Sequence, residues 1–74
     1  MAKQTIHDRL VAALTEKGEK RVHFTKTTKY TVFTRAQGGF WYIGHMGALR
    51  RGPTASKSVP DFKVRAQLLG EPIQ

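Results

Sequence analysis

The chain reads as an α+β domain: a helix, a three- to four-stranded antiparallel sheet and a second helix, with both helices packed on one face of the sheet. Three observations predict this. Apolar residues recur at helical spacing near both ends, at Ile6, Leu10, Ala13 and Leu14 and again at Phe62, Ala66 and Leu69. Between them, runs rich in β-branched and aromatic residues alternate with period two, at Arg21 to Thr25, Tyr30 to Arg35 and Phe40 to His45. Glycines and a Gly-Pro pair separate these runs as tight turns require.

The first helix is expected from Ile6 to Lys17. Thr5 stands as N-cap with Asp8 three residues on to close a capping box, and Gly18 occupies the position of a helix-ending glycine. In the first strand Val22 and Phe24 share a face opposite Arg21, His23 and Thr25. Lys26 to Lys29 is a polar connection. The second strand sets Tyr30, Val32 and Thr34 against Thr31, Phe33 and Arg35, and Ala36-Gln37-Gly38-Gly39 is a hairpin link whose glycines supply positive φ. The third strand is apolar on both faces, which assigns Trp41 and Ile43 to the core and leaves Phe40 and Tyr42 half exposed.

Gly44 and Gly47 mark a bend before Ala48 to Arg51 resumes as a short strand ended by Gly52-Pro53. Ser58 with Asp61 reads as a second capping box with Pro60 in the first turn, and Gly70 followed by Pro72 ends the last helix. Phe62, Ala66 and Leu69 should face the core, with Lys63, Arg65 and Gln67 facing water. All 74 residues form one small domain, with residues 1–4 and 71–74 expected to fray.

With no cysteine, the chain has neither a disulfide framework nor a thiolate metal site. No apolar run has the length of a signal peptide or membrane span, so a cytoplasmic protein is expected, with no membrane partner. Thirteen basic against five acidic residues leave a net charge of +8. Charge of that size on so short a chain attracts polyanions.

Its distribution is sharper than its sum. From Lys20 to Pro60 there are eight Lys or Arg and no Asp or Glu, together with both tyrosines, the only tryptophan and three of the four phenylalanines. The expected function is non-catalytic binding of DNA or RNA by a basic, aromatic-rich sheet and the 50–58 loop. The candidate contacts are Lys26, Lys29, Arg35, Tyr42, Arg50, Arg51 and Lys57. Arg50, Arg51 and Lys57 lie beside Gly52, Thr54, Ser56 and Ser58, so cations, hydroxyls and close backbone approach coincide there, as phosphate binding needs. The alternative is an accessory protein, such as one of a mobile element, that docks on an acidic protein through half-exposed aromatics of the third strand.

His7, His23 and His45 fall on three different elements without metal-ligand spacing, and no carboxylate within the sheet can orient one of them. Neither a catalytic residue, a metal nor a cofactor is therefore assigned.

Several likenesses bear on this reading. The string Gly39-Phe40-Trp41-Tyr42-Ile43 is similar to the aromatic strand of RNA-recognition motifs, although that fold places a helix between its first two strands. The αβββα order and the segment Gly52 to Ser58 before the last helix resemble double-stranded-RNA-binding domains, whose lysine cluster is replaced here by Pro60-Asp61. A three-stranded sheet followed by a helix also resembles the arm-binding domains of tyrosine recombinases. HicA-like RNA-cleaving toxins share the element order, but Lys29-Tyr30 stands where their Gly-Ser-His would fall, which leaves His45 as the substitute. None of these likenesses carries functional residues across.

Overall fold

Thr5 begins the first element as anticipated. In a computed structural model that describes residues 4–22 and 29–71, its hydroxyl accepts from the Asp8 N–H and the Asp8 carboxylate accepts from the Thr5 N–H, closing the capping box of α1 (Ile6–Glu16). At the other end Gly18 N–H donates to Thr15 O and Glu19 N–H to Leu14 O, the two bonds of a Schellman ending. Five strands follow: β1 (Lys20–Val22), β2 (Tyr30–Thr34), β3 (Phe40–Gly44), β4 (Leu49–Gly52) and β5 (Val59–Pro60). A 3-10 turn (Ala55–Lys57) lies between β4 and β5, and α2 (Phe62–Leu69) closes the order.

The strands form one antiparallel sheet in the order β1-β2-β3-β4-β5. Phe33 lies opposite Trp41, Val32 opposite Tyr42, and Tyr42 in turn opposite Arg50. Because opposed residues share a face, this register sorts every strand residue onto one of two sides. Phe33, Trp41, Ile43 and Leu49 point toward α1 and α2, where they form the core with the fully buried Leu10 and Leu14. Val64, Leu68 and Leu69 of α2 pack on the same cluster, so both helices cover one face and also touch each other. The radius of gyration, 11.8 Å, suits a single small domain of this length, for which ~11 Å is typical. Among the described residues no helix is long and apolar enough to cross a membrane.

Three details differ from the sequence reading. The sheet gains β5, since Val59 and Pro60 pair with Arg51 and Arg50 before the second helix starts. The cap of α2 is therefore Asp61, whose carboxylate accepts from Val64 N–H. Ser58 is instead committed to Arg50 and to Ala55 O. Beginning one turn later than expected, α2 carries Phe62 at its first position beside the edge strand β5, beyond the reach of the core, and Phe62 is 63% exposed. Val64 takes the inward place instead. The expected strand over 21–25 is seen as Lys20–Val22, with residues 23–25 outside the described set.

Two glycines are required by close approach. At Gly47, with φ of 87°, an added Cβ would lie 2.5 Å from Ile6 Cγ2, so the β3–β4 turn can seat against the start of α1 only without a side chain. At Gly52 a Cβ would lie 2.7 Å from Ser58 Cα, because the chain after β4 folds back over that residue. Gly52→Ala is expected to cost about 1–3 kcal/mol. Leu14→Ala, which empties the centre of the core, should cost about 2–5 kcal/mol. Denaturant midpoints at unchanged m-value check both.

Candidate functional site

The sheet face turned away from the helices is the part of the molecule that the alternating pattern leaves for function. Its strand residues are Lys20 and Val22 of β1, Tyr30, Val32 and Thr34 of β2, Phe40 and Tyr42 of β3, and Arg50 of β4, of which Val32 and Tyr42 at the centre are buried. No Asp or Glu stands on any of its strands. Tyr42 sits at the centre, with Tyr30 edge-on at 6.2 Å and Phe40 tilted at 6.2 Å between ring centroids. Tyr42 is only 5% exposed and its cross-strand neighbour Val32 2%, whereas Phe40 and Tyr30 are partly open. Half exposure was expected of both Phe40 and Tyr42. It holds for Phe40, while Tyr42 is a buried floor beneath its neighbours.

The carboxylates lie elsewhere. Asp8 and Glu16 belong to α1, and the Glu19 carboxylate accepts from Ala36 N–H at 3.1 Å. Asp61 pairs with Arg51 at 3.0 Å, and Glu71 with Arg65 at 3.7 Å. Acidic groups thus serve the helix side and the chain connections.

Among the anticipated contacts, Tyr42 and Arg50 are neighbours across β3 and β4 on the open face. Lys57 ends the 3-10 turn whose backbone crosses the same face at Gly52, and its side chain is exposed. Lys29 is exposed just before β2. Arg50 is partly buried: its Nε donates to Ser58 Oγ at 2.9 Å and its Nη2 to Ser58 O at 2.8 Å, so it clamps the 53–58 segment to the sheet. Arg35 and Arg51 are on the helix side. The guanidinium of Arg35 lies 4.8 Å from the centre of the Trp41 ring, and Arg51 is held by Asp61. Lys26 lies outside the described residues. Lys20, exposed and on the open face, escaped the sequence reading although its alternation with Val22 would have placed it there.

The histidines acquire a neighbourhood that their spacing did not announce. His7 and His45 stack with centroids 5.1 Å apart, His7 Nε2 shares a 2.6 Å hydrogen bond with Thr31 Oγ1, and His7 Nδ1 lies 3.7 Å from Asp8 Oδ1. The carboxylate beside this pair comes from α1, not from the sheet. Among the described residues no group of three His, Cys, Asp or Glu could hold a metal ion. His23 is outside them.

Two groups titrate away from their ordinary values. Burial raises Tyr42 above 10.0, because a phenolate would lose solvation there. Its contribution to stability is complete below pH 10.0 and is lost as the pH rises through the raised value, so alkaline unfolding curves of the parent should fall more steeply than those of Tyr42→Phe. The Thr5 hydroxyl, followed by the Thr5 N–H, holds Asp8 below 3.8. That contribution is present above pH 3.8 and lost as pH falls through the lowered value, and Asp8→Asn should flatten this acid limb.

For the Arg51–Asp61 pair, Asp61→Asn keeps a capping oxygen and should cost about 1 kcal/mol, the scale of a half-exposed ion pair. Asp61→Ala also loses the cap and should cost about 1 kcal/mol more. Thermal or denaturant unfolding would show that order. Compared with protein families, with curated proteins and with solved structures, the chain matches none.

Proposed function

We propose that the protein binds nucleic acid through the open face of its sheet, as a non-catalytic module. The observation that carries this reading is the segregation of charge: a five-stranded face with no carboxylate on any strand, while the acidic residues stay on the helices and connections. A phosphate backbone approaching that face meets no fixed negative charge on the strands. Lys20 at one edge, Lys29 at the entry to β2 and Lys57 on the crossing turn are exposed and pair with no carboxylate among the described residues. They supply the phosphate contacts. Phe40, partly open beside Tyr42, supplies an apolar surface on which an unpaired base stacks. Arg50 adds charge while holding the turn in place.

A second reading is favoured by a different surface. Phe62 at 63% exposure and Val59 at 56% lie together where β5 leads into α2, beside the Arg51–Asp61 pair. An apolar pair rimmed by charge suits a protein partner, and it lies on the β5 edge, not on the third-strand aromatics.

The decisive experiment is fluorescence anisotropy with labelled duplex DNA and single-stranded RNA across a salt series. Binding should weaken steeply with salt, and Lys20→Gln or Lys57→Gln should each reduce the slope of log K against log salt by about 1. Phe40→Ser should weaken the single strand more than the duplex. Absent or salt-insensitive binding at low ionic strength ends the proposal. Self-association or protein capture that Phe62→Ser abolishes would then support the second reading.

A further inference from the structure

On the helix side, away from the open face, two cations converge on the protein's only tryptophan. Lys17 Nζ lies 5.4 Å and Arg35 Cζ 4.8 Å from the Trp41 ring centre, both within the range of a cation–π contact. They come from opposite directions in the chain: Lys17 is the C-cap of α1, and Arg35 opens the β2–β3 hairpin. With Glu19 and Gln37 they line a cavity of about 100 Å³, well above the ~10–15 Å³ that admits a single water. Trp41 is 3% exposed and its buried Nε1–H has no hydrogen-bond acceptor among the described residues.

Two cations held against one indole repel each other, and an orphaned buried donor is costly. The nearby carboxylate does not resolve this. Glu19 accepts from Ala36 N–H, and neither Lys17 nor Arg35 makes a salt bridge with a carboxylate among the described residues. Two positive charges against one negative leave the cavity net positive, with donors from the Arg35 fork, the Lys17 ammonium and the Gln37 amide facing a shared space. A tetrahedral oxyanion answers the charge imbalance, because charge-assisted hydrogen bonds to its oxygens offset the repulsion between the cations, while the buried Trp41 Nε1–H lies out of its reach.

We infer that Lys17, Arg35 and Trp41 form a binding site for a phosphate group. The site does not rest on nucleic-acid binding by the open face. Its ligand is free phosphate or the terminal phosphate of a nucleotide chain, since both present the same oxygens.

The lone tryptophan reports on its own site. Emission of Trp41 is followed while the intact protein is titrated with inorganic phosphate, with a nucleoside 5′-monophosphate and with the unphosphorylated nucleoside, each against sodium chloride of equal ionic strength. Phosphate should produce a saturable change that chloride and the nucleoside do not. Arg35→Gln and Lys17→Gln should each weaken it about tenfold, the scale of losing one charge-assisted hydrogen bond. Lys17 is exposed, so its variant stands even if Arg35→Gln perturbs folding.

Glu19→Gln removes the competing carboxylate while keeping an oxygen for Ala36 N–H, and it should tighten binding. Lys63→Gln, exposed on α2 and outside the lining of this cavity, should leave affinity unchanged. Tighter binding of the monophosphate than of inorganic phosphate identifies a chain terminus as the source, and equal binding identifies the free anion. A response no larger than that of chloride, or full affinity retained in both Arg35→Gln and Lys17→Gln, overturns the assignment.

Discussion

Leu10 and Leu14 of α1, buried without exposure against Phe33, Trp41 and Ile43, are the contact on which the rest of the molecule depends. With apolar residues on both faces of β3, the sheet alone has no preferred inside. Once the helix leucines seat on one face, period-two alternation determines the side of every other strand residue. Tyr42 then lies opposite the core with Arg50 beside it, and Lys20 faces away from the helices with Val22. The division between a helix-covered side, which also carries Arg21, Arg35 and Arg51, and an opposite side bearing Lys20 and Arg50 follows from that single docking event.

The cations divide by chemistry as well as by face. Arginine, with its planar fork of donors, is used to hold the fold: Arg50 clamps Ser58, Arg51 meets Asp61, Arg9 donates to Leu69 O, and Arg65 reaches Gly47 O and Glu71. Lysine, a strongly hydrated point charge on a flexible stem, remains at the surface at Lys20, Lys29, Lys57 and Lys63. A count of positive charge therefore overstates the free contacts available to a polyanion, because several arginines already have partners. Lysines on mobile stems suit backbone attraction better than base-specific reading.

The order of elements was legible because it is local. Thr5 with Asp8, Gly18, the paired glycines of the β2–β3 hairpin and Gly70 each act over a few residues, and each appears where its chemistry places it. The start of α2 was less legible because Ser58 and Asp61 are both good caps. Arg50, remote in sequence, engages Ser58, and pairing of Val59 and Pro60 with β4 leaves Asp61 as the first free capping residue. Exposure of the third-strand aromatics was half legible. Alternation placed Phe40 and Tyr42 on one face of β3, but the edge-on contact of Tyr30 with Tyr42 is diagonal across β2 and β3 and depends on register.

Composition and spacing were by themselves enough to determine the α+β order, the identity of Trp41 and Ile43 as core, and a central stretch without carboxylates. Those properties follow from periodicity and charge along the chain. The tertiary structure alone decided that Arg51 would be neutralised by Asp61, that Arg50 would fasten a turn, and that Lys17 and Arg35 would meet on Trp41. Each depends on strand register and helix docking, which bring distant residues within a few ångströms, and no local pattern encodes that distance.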